Sequence, residues 1–159
     1  MSGMERHLNA AIGYLELGML DEAAGELESL QPEIKNITAV LCVRLEIYRV
    51  ARNWSLMEVV ARELWKRHQD EAVYWNDLAW VVRRKDSIEA AQIILLEALE
   101  KFPNDAMTTY NLGCYACLLG DMDNAKKFVG DAIKLDSKYK LMALDDEDLM
   151  TLWDSLASL

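Results

Sequence analysis

Apolar residues recur along this chain at helical spacing. From Ala125 onward they fall at Ala125, Phe128, Val129, Ala132, Ile133 and Leu135, the stripe of a helix buried on one side. The stripe repeats. When the chain is offset against itself by 34 residues, chemically alike positions align. Ala23, Met57, Ala91 and Ala125 form one column, and Leu27, Ala61, Leu95 and Val129 another. Leu30, Leu64, Ala98 and Ala132 are apolar, Leu20, Trp54, Ile88 and Met122 are large, and Ala11, Leu45, Ala79 and Gly113 are mostly small. Four units tile without insertion as 4–37, 38–71, 72–105 and 106–139.

Each unit divides into two helices at a cluster of turn and cap residues. These clusters are Gly18 with Asp21, Asn53 with Ser55, Asp86 with Ser87, and Gly120 with Asp123. Asp, Asn and Ser accept bonds from the free N–H groups of a starting helix, so a second helix is expected to begin at each. Small residues such as Ala79 and Gly113 let the two helix backbones of a unit approach closely.

Period and pattern together resemble the tetratricopeptide repeat (TPR), a 34-residue helix–turn–helix. The third unit carries Trp75, Leu78, Ala79, Ala91, Leu95, Ala98 and Pro103 at the signature places. The fourth carries Leu112, Gly113, Ala125, Val129 and Ala132, and the first Tyr14, Gly18, Ala23, Leu27 and Leu30. The second departs most, with Arg44 and Met57 where Leu and Ala are usual. Pro32 comes early in the first unit, and Ser137 replaces a proline in the last. The expected fold is all-α: an α-solenoid of stacked TPR repeats forming one domain over 4–139, closed by a capping helix over 140–159. In that helix, Asp145, Asp146, Glu147 and Asp148 suit the positive end of the dipole. Leu149, Leu152, Trp153, Leu156 and Leu159 form the apolar stripe that covers the open end of an array.

The resemblance implies a concave groove lined by the first helix of each unit. By the repeat columns, its candidate residues are Leu8 and Ile12 at one end, Glu46, Arg49, Asn76, Trp80 and Arg83 in the middle, and Tyr110, Cys114 and Cys117 at the other end. Arg and Trp are common interface hot spots, and a guanidinium beside an indole suits a ligand carboxylate next to an apolar anchor. Local alternatives stand beside this reading: Glu46 and Arg49 lie three apart and can pair, and Trp80 can pack under a neighbouring helix. The clamp with which some TPR proteins hold the C-terminal carboxylate of heat-shock chaperones is not reproduced. Its places carry Leu8, Ile12, Val43, Val73 and Asp77, or Cys42, Glu46, Asp77, Met107 and Asn111.

Charge narrows the class of partner. The net charge of −10 argues against nucleic acid, whose binding needs a basic face to release counterions. No apolar run approaches the ~20 residues that span a bilayer. Three cysteines, Cys42, Cys114 and Cys117, do not form a disulfide framework, so a cytoplasmic location is expected. Cys114-x-x-Cys117 lies inside a helix rather than at its N-terminus, and His7 and His68 sit in different units, so neither redox nor metal nor triad chemistry is expected. No phosphate-binding glycine loop occurs. The expected function is a non-catalytic scaffold, without cofactor, that binds a peptide or protein segment. Two alternatives are a cytoplasmic chaperone-like subunit of a bacterial assembly or secretion system, and a structural protein that self-associates as a homo-oligomer.

Overall fold

The computed structural model describes residues 2–156, and among them every regular element is helical. Eight helices form four consecutive pairs: α1 (Gly3–Glu16) with α2 (Leu20–Glu28), α3 (Thr38–Val50) with α4 (Trp54–Arg67), α5 (Ala72–Lys85) with α6 (Ile88–Lys101), and α7 (Ala106–Leu118) with α8 (Met122–Leu135). The fold is an all-α stack of TPR-type helix–turn–helix repeats with a C-terminal cap. The chain divides into two compact units, one ending at His68 and the other starting at Gln69. No helix among the described residues is long and apolar enough to cross a membrane.

Turn chemistry sets the pair boundaries. Gly18 and Gly120 adopt φ of +74° and +82° just past the ends of α1 and α7. That left-handed conformation suits glycine, which has no Cβ to clash. Arg52 takes the equivalent place after α3 at φ +54°, a conformation that costs a side-chain-bearing residue roughly 1–2 kcal/mol. Asn53, Ser87 and Asp121 then cap α4, α6 and α8 by accepting backbone N–H groups. For α8 the capping acid is thus Asp121, not Asp123. Asp123 lies in the first turn, as Asp21 does in α2, where the helix dipole favours it. Helix α2 is only 9 residues long. Pro32 disfavours helix at the residue before it, so the chain leaves α2 and enters a short 3₁₀ turn at Pro32–Ile34.

In the first unit, Ala11, Ala23, Leu27, Leu30, Val40 and Ile47 form a buried cluster, with Leu8, Tyr14 and Ile37 packed against it. His7 Nδ1 lies 2.6 Å from Glu26, and His68 Nε2 lies 2.9 Å from Thr38 Oγ1. Each histidine therefore makes a local contact between helices. In the second unit, α7 and α8 meet at Gly113. A Cβ built there would lie 2.6 Å from Val129 Cγ2 and 3.1 Å from Val129 N, so no larger residue fits without displacing α8. Thr108 through Cys117 are buried, apart from half-buried Asn111, so α7 has cover on nearly every side.

The stretch after α8 is not one rod. It forms α9 (Lys138–Asp145), a 3₁₀ segment (Glu147–Leu152) and a final turn α10 (Trp153–Leu156). Asp146 interrupts the helix with extended backbone and accepts from the N–H of Asp148 at 3.0 Å. Trp153 Nε1 donates to Ala143 O at 3.1 Å, which folds the last turn back on α9. Leu149, Leu152 and Leu156 are buried, each worth ~1.5–3 kcal/mol relative to exposure. Leu159, expected on the same stripe, lies outside the described residues.

The contact at Gly113 gives a direct test. Gly113→Ala gains up to ~1 kcal/mol of helix propensity but forces Cβ onto a stiff valine, an overpacking cost of ~1–3 kcal/mol. It is expected to lower the thermal midpoint. Gly130→Ala, on α8 with nothing within 4 Å of its Cβ position, is expected to raise it. The opposite order in thermal melts would show that α7 and α8 do not depend on this close approach.

Candidate functional site

The candidate residues on α1 and α3 behave unequally. Leu8 packs on the first unit's core and is half buried, whereas Ile12 remains 41% exposed. Glu46 and Arg49 pair along α3 at 3.3 Å, the local alternative weighed for them. Of the apolar end assigned to this unit, Ile12 is the part left exposed.

On α5 and α7, Arg83, Tyr110, Cys114 and Cys117 share one face, and the chain's own C-terminal segment lies on it. The Arg83 guanidinium holds the Asp148 carboxylate with both terminal nitrogens, at 2.5 and 2.9 Å. A two-point fork of this kind fixes direction as well as charge. Two residues earlier, Asp146 accepts from Tyr110 Oη at 2.8 Å and from Cys114 Sγ at 3.6 Å. One turn of α7 further on, Cys117 Sγ meets Thr151 Oγ1 at 3.1 Å. Between these polar contacts Leu149 is completely buried, while Met150 points away and is 58% exposed. Tyr110 stacks on Tyr139, with ring centroids 4.8 Å apart. Tyr110, Cys114 and Cys117 therefore do not line an open groove, because the segment 146–152 covers them.

The upper part of the face is held rigid by a polar ladder. Asn76 donates to Thr108 Oγ1 at 2.8 Å and accepts from Asn111 Nδ2 at 2.8 Å. Thr108 Oγ1 in turn donates to Asp105 at 2.6 Å. Asn76 is buried, so its amide is spent on joining α5 to α7 rather than offered to a ligand. Trp80 is half buried beneath the guanidinium of Arg84, 4.1 Å from its ring centroid. This stack of residues four apart on α5 resembles a hot-spot pair.

Electrostatics set what this site can do. Arg83 is held above its ordinary pKa by the Asp148 hydrogen bonds, and burial opposes this. It also lies 5.4 Å from the ring of Tyr115, whose hydroxyl burial pushes up to about 12. Burial, reinforced by Asp146 and Asp148, pushes the Cys114 thiol up. Burial does the same for the Tyr110 hydroxyl. The thiol is therefore a protonated donor and a poor nucleophile or metal ligand. Cys114, Asp146 and Asp148 bring one ligand atom each within 4.8 Å of one another. The cation of this cluster is the Arg83 guanidinium, and Asp146 is engaged by Tyr110. Such a donor set suits recognition of carboxylates rather than metal chemistry.

A second concavity of about 430 Å³ opens between α6 and α8, over Leu99, Pro103 and Phe128. At its rim Lys134 pairs with Asp131 at 3.3 Å. It gathers no convergent polar groups like those around Arg83.

The acids at 145–148 were legible as helix-starting residues, and Asp146 does cap the 3₁₀ segment. That Asp148 reaches Arg83, 65 positions away, was not, because local pattern carries no long-range register. One signal was available. From Leu112 to Leu119 no residue is charged, and a helix apolar all round requires cover on both faces.

No family model matches the chain, and no curated protein matches its sequence. Solved structures do resemble it. The MamA structure described as "41-end from Desulfovibrio magneticus RS-1" superposes with a TM-score of 0.71 at 17% identity, covering 99% of this chain and 93% of that one. The structure described as "MamA RS-1 ArsTM double mutant" gives 0.70 at 17% identity, covering 99% and 92%. "MamA MSR-1 C2" gives 0.66 at 17% identity, covering 85% and 78%. At this identity the likeness is one of fold.

Proposed function

We propose that this chain is a non-catalytic scaffold, and that the faces made by the first helices of its pairs hold a peptide or protein segment. One observation carries the reading. The face of α5 and α7 already holds a peptide segment, the chain's own, through a guanidinium–carboxylate fork beside a fully buried leucine. Those are the contacts of an interface hot spot: a charged pair shielded from water next to an apolar anchor. The donors around Arg83 are neutral or cationic, and no activated nucleophile accompanies them. The chemistry therefore favours holding over transforming. Trp80 with Arg84, and Ile12 on α1, are further surface groups through which a partner is engaged.

A second reading, self-association, has its own support. Helix α9 exposes Leu141 at 77%, with Met142 and Leu144 also exposed. A grouped apolar surface of this kind suits a protein interface.

The two readings separate experimentally. For the scaffold, Trp80→Ala with Arg83→Glu, at unchanged helicity, is expected to reduce capture of partners from the native cell by at least about tenfold, or ~1.4 kcal/mol. Equal capture by the folded double variant overturns it. For self-association, the wild-type chain is expected to sediment as an oligomer and Leu141→Glu as a monomer. A monomeric wild type across the concentration range removes the second reading.

A further inference from the structure

We propose that the face of α5 and α7 is a site for an acidic, leucine-bearing segment of a partner protein, and that residues 146–152 are its built-in competitor. The inference rests on the scaffold reading and adds the chemistry of the partner and the state of the free protein.

Three observations lead to it. The first is the receptor. Arg83 is only 17% exposed in its side chain, and both of its terminal nitrogens are committed to one carboxylate. A guanidinium withdrawn this far from water needs an anion. If the segment departs, another carboxylate is the favoured replacement, and an apolar or basic segment is disfavoured.

The second is the register of the occupant. Asp146 is met by Tyr110 and Cys114, Asp148 by Arg83, and Leu149 and Leu152 are buried, while Glu147 and Met150 are exposed. The face thus reads Asp-x-Asp-Leu-x-x-Leu. Two hydrogen-bonded seats for carboxylates lie beside two apolar seats, Thr151 meets Cys117, and Glu147 and Met150 face outward. A partner carrying acids and leucines in that order meets each seat.

The third is how the occupant is held. It is a 3₁₀ segment, whose hydrogen bonds are poorer than those of an α-helix, and it is attached through α9, whose outer face stays apolar and exposed. The covalent link gives the segment an effective concentration on the order of millimolar, so a free partner segment competes at a disadvantage. A partner succeeds where it binds more tightly, or where the segment is drawn off. The resident segment thereby sets a threshold that excludes weak acidic sequences.

The test uses the full chain and a fluorescein-labelled peptide with the sequence of residues 145–153, read by anisotropy. Asp146→Asn with Asp148→Asn removes the charges of the resident segment and keeps its shape and cap. This released chain is expected to bind the peptide at least about tenfold more tightly than wild type, and adding Arg83→Ala is expected to abolish the gain. If the double variant loses helicity, Asp148→Asn alone serves. A folded released chain that binds no better than wild type overturns the built-in competitor. Equal binding of a peptide with both aspartates replaced by asparagine overturns the acidic partner and leaves the scaffold reading standing. If neither peptide binds any variant, both the inference and the scaffold reading of this face are removed.

Discussion

The last helix pair closes at a single residue without a side chain, Gly113. There α7 lies against Val129 so closely that not even a methyl group fits between them. The contact commits one face of α7 to α8 and turns the opposite face outward. That outward face carries Tyr110, Cys114 and Cys117, an apolar strip that water would not favour. Something must cover it. In this chain the cover is the segment 146–152, anchored by Arg83 and sealed by Leu149.

The site follows from the requirements of the fold. A polar ladder through Asn76, Thr108 and Asn111 joins α5 to α7, so Arg83 and Tyr110 are displayed on one rigid platform. Rigidity matters because a fork of two hydrogen bonds tolerates little displacement. The buried neutral groups beside it, the Cys114 thiol and the Tyr110 hydroxyl, donate hydrogen bonds to Asp146 without adding charge. The net effect is a small anion-accepting patch on a chain whose overall charge is −10. Long-range repulsion between like charges is screened within about 8 Å at physiological salt, so the overall charge does not prevent Arg83 from holding Asp148.

Much of the fold was legible because it is local. The helical stripes, Gly18 and Gly120 in left-handed turns, and Asn53 and Ser87 as caps are each set within a few residues. Of the candidate residues, the repeat columns grouped Arg83, Tyr110, Cys114 and Cys117 on one face, and the structure brings all four against one segment. The occupant was missed. Acids before leucines read as the start of a capping helix, and the same residues also satisfy Arg83 at long range. For Asn76, a column assigns a direction to the side chain but not its partners, which are Thr108 and Asn111. On α1, Leu8 shares a column with Tyr110 and packs against its own core cluster.

The central feature is a segment held by charge and leucine on the face of α5 and α7. Hydrogen–deuterium exchange of the full chain addresses this directly. In the wild type, the amides of Asp148 and Leu149, both bonded to Asp146, are expected to be protected, and Arg83→Ala is expected to release them while α8 stays protected. Exchange of those amides at the rate of an unstructured chain end in the wild type would contradict it.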